Sequence, residues 1–145
     1  MLFESIDRVV IAVKDLDKSL KFFKDLLDVD FDVVGSHEEL KITGAYGASG
    51  LELIEPYGKD SGLLKYLEAK GEGVMAIVLK VKDMDSAVAH LEKKGLKKIM
   101  DIKVGTMREV GFNPRESHGF QIILAEYPAK HPATIAAWSL EKPSE

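Results

Sequence analysis

Two charged residues stand inside apolar, strand-like stretches of this chain. Arg8 interrupts Ile6-Asp7-Arg8-Val9-Val10-Ile11-Ala12-Val13, and Glu52 interrupts Gly50-Leu51-Glu52-Leu53-Ile54-Glu55. A guanidinium in such a setting needs a partner, either a protein carboxylate or a ligand anion. Glu52 beside it is a candidate general base, although a carboxylate clamped by Arg is expected to hold its proton less tightly. Other chemistries are poorly served. Without cysteine there is no disulfide, thiol nucleophile or Cys-type zinc site. The four histidines, His37, His90, His118 and His131, are scattered over turns, a helix and the tail. His118 alone precedes a strand at a position able to reach a ligand. The glycines Gly44, Gly47 and Gly50 belong to a hairpin, not to a phosphate loop leading into a helix.

The elements that must position these residues follow from periodicity. Strands are expected over 6–13, 29–34, 39–46 and 50–55, with a helix from Asp15 as its cap and Leu16, Leu20, Phe23 and Leu27 on one face. Phe22, Phe23 and Leu26 read as helix core. A short helix over 61–70 stops at Gly71. A strand over 74–81, a helix over 83–94 and strands near 97–101, 109–112 and 119–125 complete the chain. After Pro128, Pro132 could start a short helix carrying Ile135 and Trp138. Side chains alternate along a strand. Arg8, Val10 and Ala12 therefore share one face, as do Glu52 and Ile54, Ala76 and Val78, and Gln121, Ile123 and Ala125.

Two segments repeat one pattern. Val9–Leu20 reads against Ile77–Val88, with Val13 laid on Val81, a shift of 68 (81 − 13). Gly50–Tyr57 reads against Phe120–Tyr127, with Glu52 laid on Ile123, a shift of 71 (123 − 52). One supersecondary unit, β-α-β-β-β, is used twice around a shared core. Residues 1–58 form the first module, 59–72 a linker helix, 73–128 the second module and 129–145 a tail, all within one α+β domain. The sheets should curl around a common cleft. Net charge is −4, apolar residues make up 46% and charged residues 30%, as in ordinary soluble domains. Lysines and arginines are dispersed, so no nucleic-acid footprint is visible. No apolar run approaches a membrane span, and the N-terminus shows no secretory signal; a cytoplasmic protein is expected.

This order resembles the vicinal oxygen chelate superfamily, the glyoxalase/bleomycin resistance/dioxygenase fold, and within it most closely methylmalonyl-CoA epimerase. The resemblance is carried by Ile6–Asp17, Leu51–Pro56, Gly58-Lys59-Asp60-Ser61, Gly71-Glu72-Gly73, Val81–Asp85 and Asn113–Gly119. The family's four metal-ligand positions fall on Arg8, Glu52, Ala76 and Ile123, of which only Glu52 can bind a divalent ion; about three protein ligands are needed. A second proton-moving carboxylate of the epimerases falls on Lys41. The loop Val104–Glu109 differs from theirs.

The resemblance implies ligand contacts at Arg8, Glu52, Ala76, Ile123 and His118 and catalysis, if any, at Glu52 or Lys41; the departures from the family's ligand set point to no cofactor. It implies a homodimer, with a small anionic organic ligand, an acyl-CoA among the candidates, clamped by Arg8. One alternative is a divalent-metal epimerase or lyase with an unusual ligand set such as Glu52 with His118. Another is a non-catalytic binding protein of the bleomycin-resistance type. An enzyme here would be an isomerase, epimerase or lyase.

Overall fold

The computed structural model describes residues 1–128. The helix expected around Pro132, with Ile135, Trp138 and His131, lies outside them. Eight strands, β1 (Ser5–Ala12), β2 (Val33–His37), β3 (Ile42–Tyr46), β4 (Leu51–Pro56), β5 (Gly73–Lys80), β6 (Lys98–Val104), β7 (Met107–Phe112) and β8 (Gln121–Glu126), form one curled mixed sheet. Their spatial order is β2-β3-β4-β1-β5-β8-β7-β6, so the two modules meet where β1 pairs antiparallel with β5. Within each module the first strand runs parallel to the last, β1 to β4 and β5 to β8. The helices are α1 (Leu16–Leu27), α2 (Gly62–Lys70) and α3 (Met84–Lys93). None is long and apolar enough to cross a membrane.

The alternation read from the strands holds. Ala45 and Leu53 pack with Val13 and Leu16 under α1. Val110, Phe112 and Leu124 pack with Met84, Ala87 and Val88 under α3. The opposite, concave face gathers Val10, Ala12, Tyr46, Ile54, Ala76, Val78, Met107 and Ala125, closed over by Leu63 and Leu67 of α2. Burying a side chain such as Leu53 or Phe112 completely contributes about 1.5–3 kcal/mol. The helix between the modules thus plugs the concave side as well as linking the halves.

Repetition reaches the helix ends. Asp15 accepts the Lys18 N–H at 3.1 Å, and Asp83 accepts the Ser86 N–H at 3.0 Å. Each first turn also receives a carboxylate from the fourth strand of its own module: Glu55 takes Leu16 N–H and Glu126 takes Met84 N–H, both at 2.7 Å. Each helix N-terminus therefore carries two acceptors for its orphan donors. Asp15→Ala and Asp83→Ala should each lower stability by about 1 kcal/mol. The double variant should lose their sum, because the sites share no partner; chemical denaturation measures all three.

Three expectations are corrected. Phe22 and Leu26 are not helix core: they are 56% and 62% exposed. The stripe that faces the sheet is Leu16, Leu20 and Phe23, and positions 22 and 26 lie one step, about 100°, behind it. Leu27, counted on the buried face, is 56% exposed where the helix ends. The second strand begins at Val33, because Asp28 ends α1 in a left-handed conformation and residues 29–32 form a loop pinned by Asp32, whose carboxylate takes the Ala48 N–H at 3.0 Å. Gly35-Ser36 is therefore strand, with Gly35 opposite Gly44, and the turn lies at residues 38–41.

Candidate functional site

β1 carries an extra residue against β5. Ile6 pairs with Leu79 and Arg8 with Val78, which leaves Asp7 as the unpaired residue of a bulge. A bulge re-aims a side chain that alternation would send to the other face. Asp7 and Arg8, adjacent in sequence, consequently both turn inward, and the Asp7 carboxylate meets the guanidinium at 2.6 Å. A second bulge answers it on β5. Val10 pairs with Ala76 and Ile11 with Val74, so Met75 is the extra residue there, and it too turns toward the concave side. Asp7 and Met75 are separated by the repeat shift of 68 (75 − 7). The two bulges are equivalents of one another.

Arg8 is 3% exposed and encircled. Its Nε donates to Glu52 on β4 at 2.9 Å, one terminal nitrogen to Asp7, and the other to Glu109 on β7. The first terminal nitrogen also meets the Met107 sulfur at 3.7 Å, and the Tyr46 ring lies 5.2 Å from the guanidinium carbon. Tyr127 donates its phenol proton to the other side of Asp7, and Lys80 sits 4.3 Å from the Tyr127 ring. Three carboxylates against one guanidinium give the cluster a formal charge of −2 (1 − 3).

The electrostatics follow from this crowding. Burial works against the charged guanidinium, but Glu109, Glu52 and Asp7 more than offset it, and Arg8 holds its proton far above the usual range. Glu52 departs from expectation. Burial raises its proton affinity, with Glu109 adding to the effect, and the opposing pull of Arg8 does not cancel them. The clamped carboxylate is therefore a stronger base than an ordinary one, not a weaker one. Tyr46 is also pushed up, by burial and then by Glu52.

Above the cluster lies a cavity of about 200 Å³. Val10, Ala76 and Val78 form its floor, with Ile54, Leu63 and Ile123 at the sides. Leu40, Gly62, Met75, Met100 and Gln121 stand at the more exposed rim. Arg8, Glu52 and Glu109 supply its charged groups. A recess of about 40 Å³ adjoins it, lined by His37, Tyr46 and Met107 among others.

Four of the residues singled out from sequence, Arg8, Glu52, Ala76 and Ile123, thus line one cavity. Lys41 does not reach it. Concave positions on β3 are Ile42, Gly44 and Tyr46, whereas Lys41 sits in the preceding turn with φ 53° and faces Glu38 and Asp60 at 3.7 and 3.9 Å. His118 is exposed in the turn after a single 3-10 turn (Pro114–Glu116), with φ 60°. It is not among the residues that line the cavity. Arg8 meets Glu52, one of the two kinds of partner expected for it, and adds Asp7 and Glu109 as further protein carboxylates.

Asp7, Glu109, Met75 and Tyr127 were not visible as site residues. Glu109 had a signal: Gly105-Thr106 is a two-residue turn between β6 and β7, not a longer loop. Once β7 is paired with β8, Glu109 lies opposite Ala125, a concave position.

At the family's metal positions the side chains are a guanidinium, a carboxylate, a methyl and a butyl group. Among the described residues no group of three or more His, Cys, Asp or Glu is placed to hold a metal ion. These residues do not fit a catalytic metal, which needs about three protein donors.

Comparison with known proteins agrees with this architecture. Human mitochondrial methylmalonyl-CoA epimerase is 26% identical over 128 residues, 83% of this chain and 73% of the relative. A Streptomyces coelicolor methylmalonyl-CoA epimerase variant, in complex with 2-nitronate-propionyl-CoA, superposes with a TM-score of 0.77 at 27% identity, covering 88% of this chain and 99% of the other. A methylmalonyl-CoA epimerase in complex with methylmalonyl-CoA and NH4+ gives 0.77 and 27%, over 88% and 96%. Residues 7–112 match the family described as the Glyoxalase/Bleomycin resistance protein/Dioxygenase superfamily. With its paired modules, curled sheet and shared cleft, the chain belongs to that superfamily.

Proposed function

We propose that this chain takes the acyl end of an acyl-CoA thioester in the concave cavity, and that Arg8 supplies there, without a metal, the fixed positive charge of the site. The observation that carries this reading is the buried guanidinium held by carboxylates from three strands at the base of an apolar cavity. A cavity of about 200 Å³ suits an acyl group and is too small for a whole nucleotide. The carrier's phosphates then stay outside, and the anionic character of the ligand resides in them. One similar structure holds methylmalonyl-CoA with an ammonium ion. A guanidinium tethered to β1 is the same kind of species, a nitrogen cation.

Metal-stripped protein, kept in a chelator, should bind one or more of a panel of short acyl-CoA thioesters in titration calorimetry. Binding that appears only after a divalent metal is added would overturn the metal-free reading. Silence across the whole panel would overturn the acyl-CoA reading.

Catalysis is favoured by one further observation. Glu52 and Glu109 face the same cavity from different halves of the sheet, each on its own arm of Arg8. A carboxylate whose proton affinity is raised by burial is suited to removing the acidic hydrogen beside a thioester carbonyl. The guanidinium next to it steadies the negative charge that develops. Such a step would make the protein an isomerase or a lyase.

A further inference from the structure

The cavity's charged groups differ in number and sign from what a dicarboxylic substrate requires. Among its described lining residues Arg8 is the only cation, and four of its five N–H donors already have partners. Glu52 and Glu109 line the same wall, with Asp7 directly behind them. The adjoining recess adds His37, whose Nδ1 is already engaged as acceptor of the Leu40 N–H at 3.2 Å. A free carboxylate on the acyl group would enter a pocket that is already net negative. It would lose its hydration and find at most the one uncommitted N–H of Arg8 in return, against two facing carboxylates. The remaining wall is aliphatic or thioether except for Gln121, whose carboxamide is uncharged and adds no cation.

We infer that the acyl group this cavity accepts is uncharged: a short aliphatic acyl thioester rather than one bearing a second carboxylate. The inference rests on the acyl-thioester reading and narrows it to a substrate class. It would also set this chain apart from the three relatives described above, each named for the carboxylated thioester.

Isobutyryl-CoA and methylmalonyl-CoA form a matched pair, because the second differs from the first by a carboxylate in place of one methyl group. In calorimetric titration of the metal-stripped protein, isobutyryl-CoA is expected to bind tighter by about tenfold to a hundredfold. Equal affinity, or preference for methylmalonyl-CoA, would overturn the inference. The Glu109→Gln variant removes one of the repelling charges and should narrow the ratio; a ratio that widens counts against it. Should neither thioester bind, the acyl-CoA reading fails by itself. The charge inference is then read with the bare fragments, isobutyramide against the monoamide of methylmalonate, through the NMR signals of the Met75 and Met100 methyl groups. Perturbation by the neutral amide at lower concentration upholds it, and perturbation by the charged fragment first overturns it.

Discussion

Arg8→Ala is expected to cost about 3–5 kcal/mol of stability at neutral pH, the range for removing one partner from a buried charge cluster. The loss is not that of one ion pair. Asp7, Glu52 and Glu109 would be left facing one another around the vacated space with no countercharge. Glu52, already shifted upward by burial and by Glu109, then loses the pull of Arg8 that opposes the shift and binds its proton more tightly still. Such a group favours folding below the ordinary carboxylate range and disfavours it as pH rises through its elevated value. The deficit of the variant should therefore shrink on acidification, and urea denaturation at neutral and acidic pH measures both effects. Arg8→Lys should fall between, since an ammonium restores the charge but has no planar fork to engage carboxylates on three separate strands. A loss under about 1 kcal/mol that is flat with pH would mean that the cluster holds nothing together.

Glu52→Gln should slow exchange of the hydrogen beside a bound thioester carbonyl by about 10²–10⁴-fold, the usual contribution of a positioned general base. Deuterium incorporation from D2O, followed by NMR, gives the rate. The same substitution has a stability signature of definite sign. Burial raises the proton affinity of Glu52 in the folded state. Its contribution is thus fully present below the ordinary carboxylate range and fades as pH climbs through the raised value. Glutamine cannot ionise, so the variant should gain on the wild type as pH rises above the ordinary carboxylate range. Unchanged exchange would remove Glu52 from the chemistry; a stability difference moving the other way would remove the burial argument.

Much of this architecture was legible because it rests on periodicity. Alternation along β1, β4, β5 and β8 sorted Arg8, Glu52, Ala76 and Ile123 onto one face, and the Val-Lys-Asp motif that marked Asp15 as a cap recurs at Asp83, which caps the second helix. What stayed hidden was whatever breaks a period or depends on depth. Asp7 and Met75 face inward because bulges cancel the alternation by which they would be sorted outward. Glu109 was obscured by a two-residue turn taken for a loop, and Lys41 by a strand drawn too long at its start. The direction in which Glu52 shifts was misjudged because adjacency to Arg8 can be read from a strand pattern, whereas burial cannot. Phe22 and Leu26 show the same limit on a helix, where a hydrophobic residue beside the apolar stripe is not yet a buried one.

The paired bulges also bear on symmetry. A duplicated module offers a guest two interchangeable ends, and a ligand could lie in such a cleft in either of two orientations. Here the equivalent positions are occupied unequally, Asp7 and Arg8 in one half against Met75 and Ala76 in the other. A guanidinium and a carboxylate stand at the pair in one half, a thioether and a methyl group at the equivalent pair in the other. The degeneracy of the duplication is thereby lifted, and the cavity has a single head and a single tail. Exchanging the two dipeptides between the halves would part Arg8's charge from Glu52 and Glu109 without altering the composition of the chain.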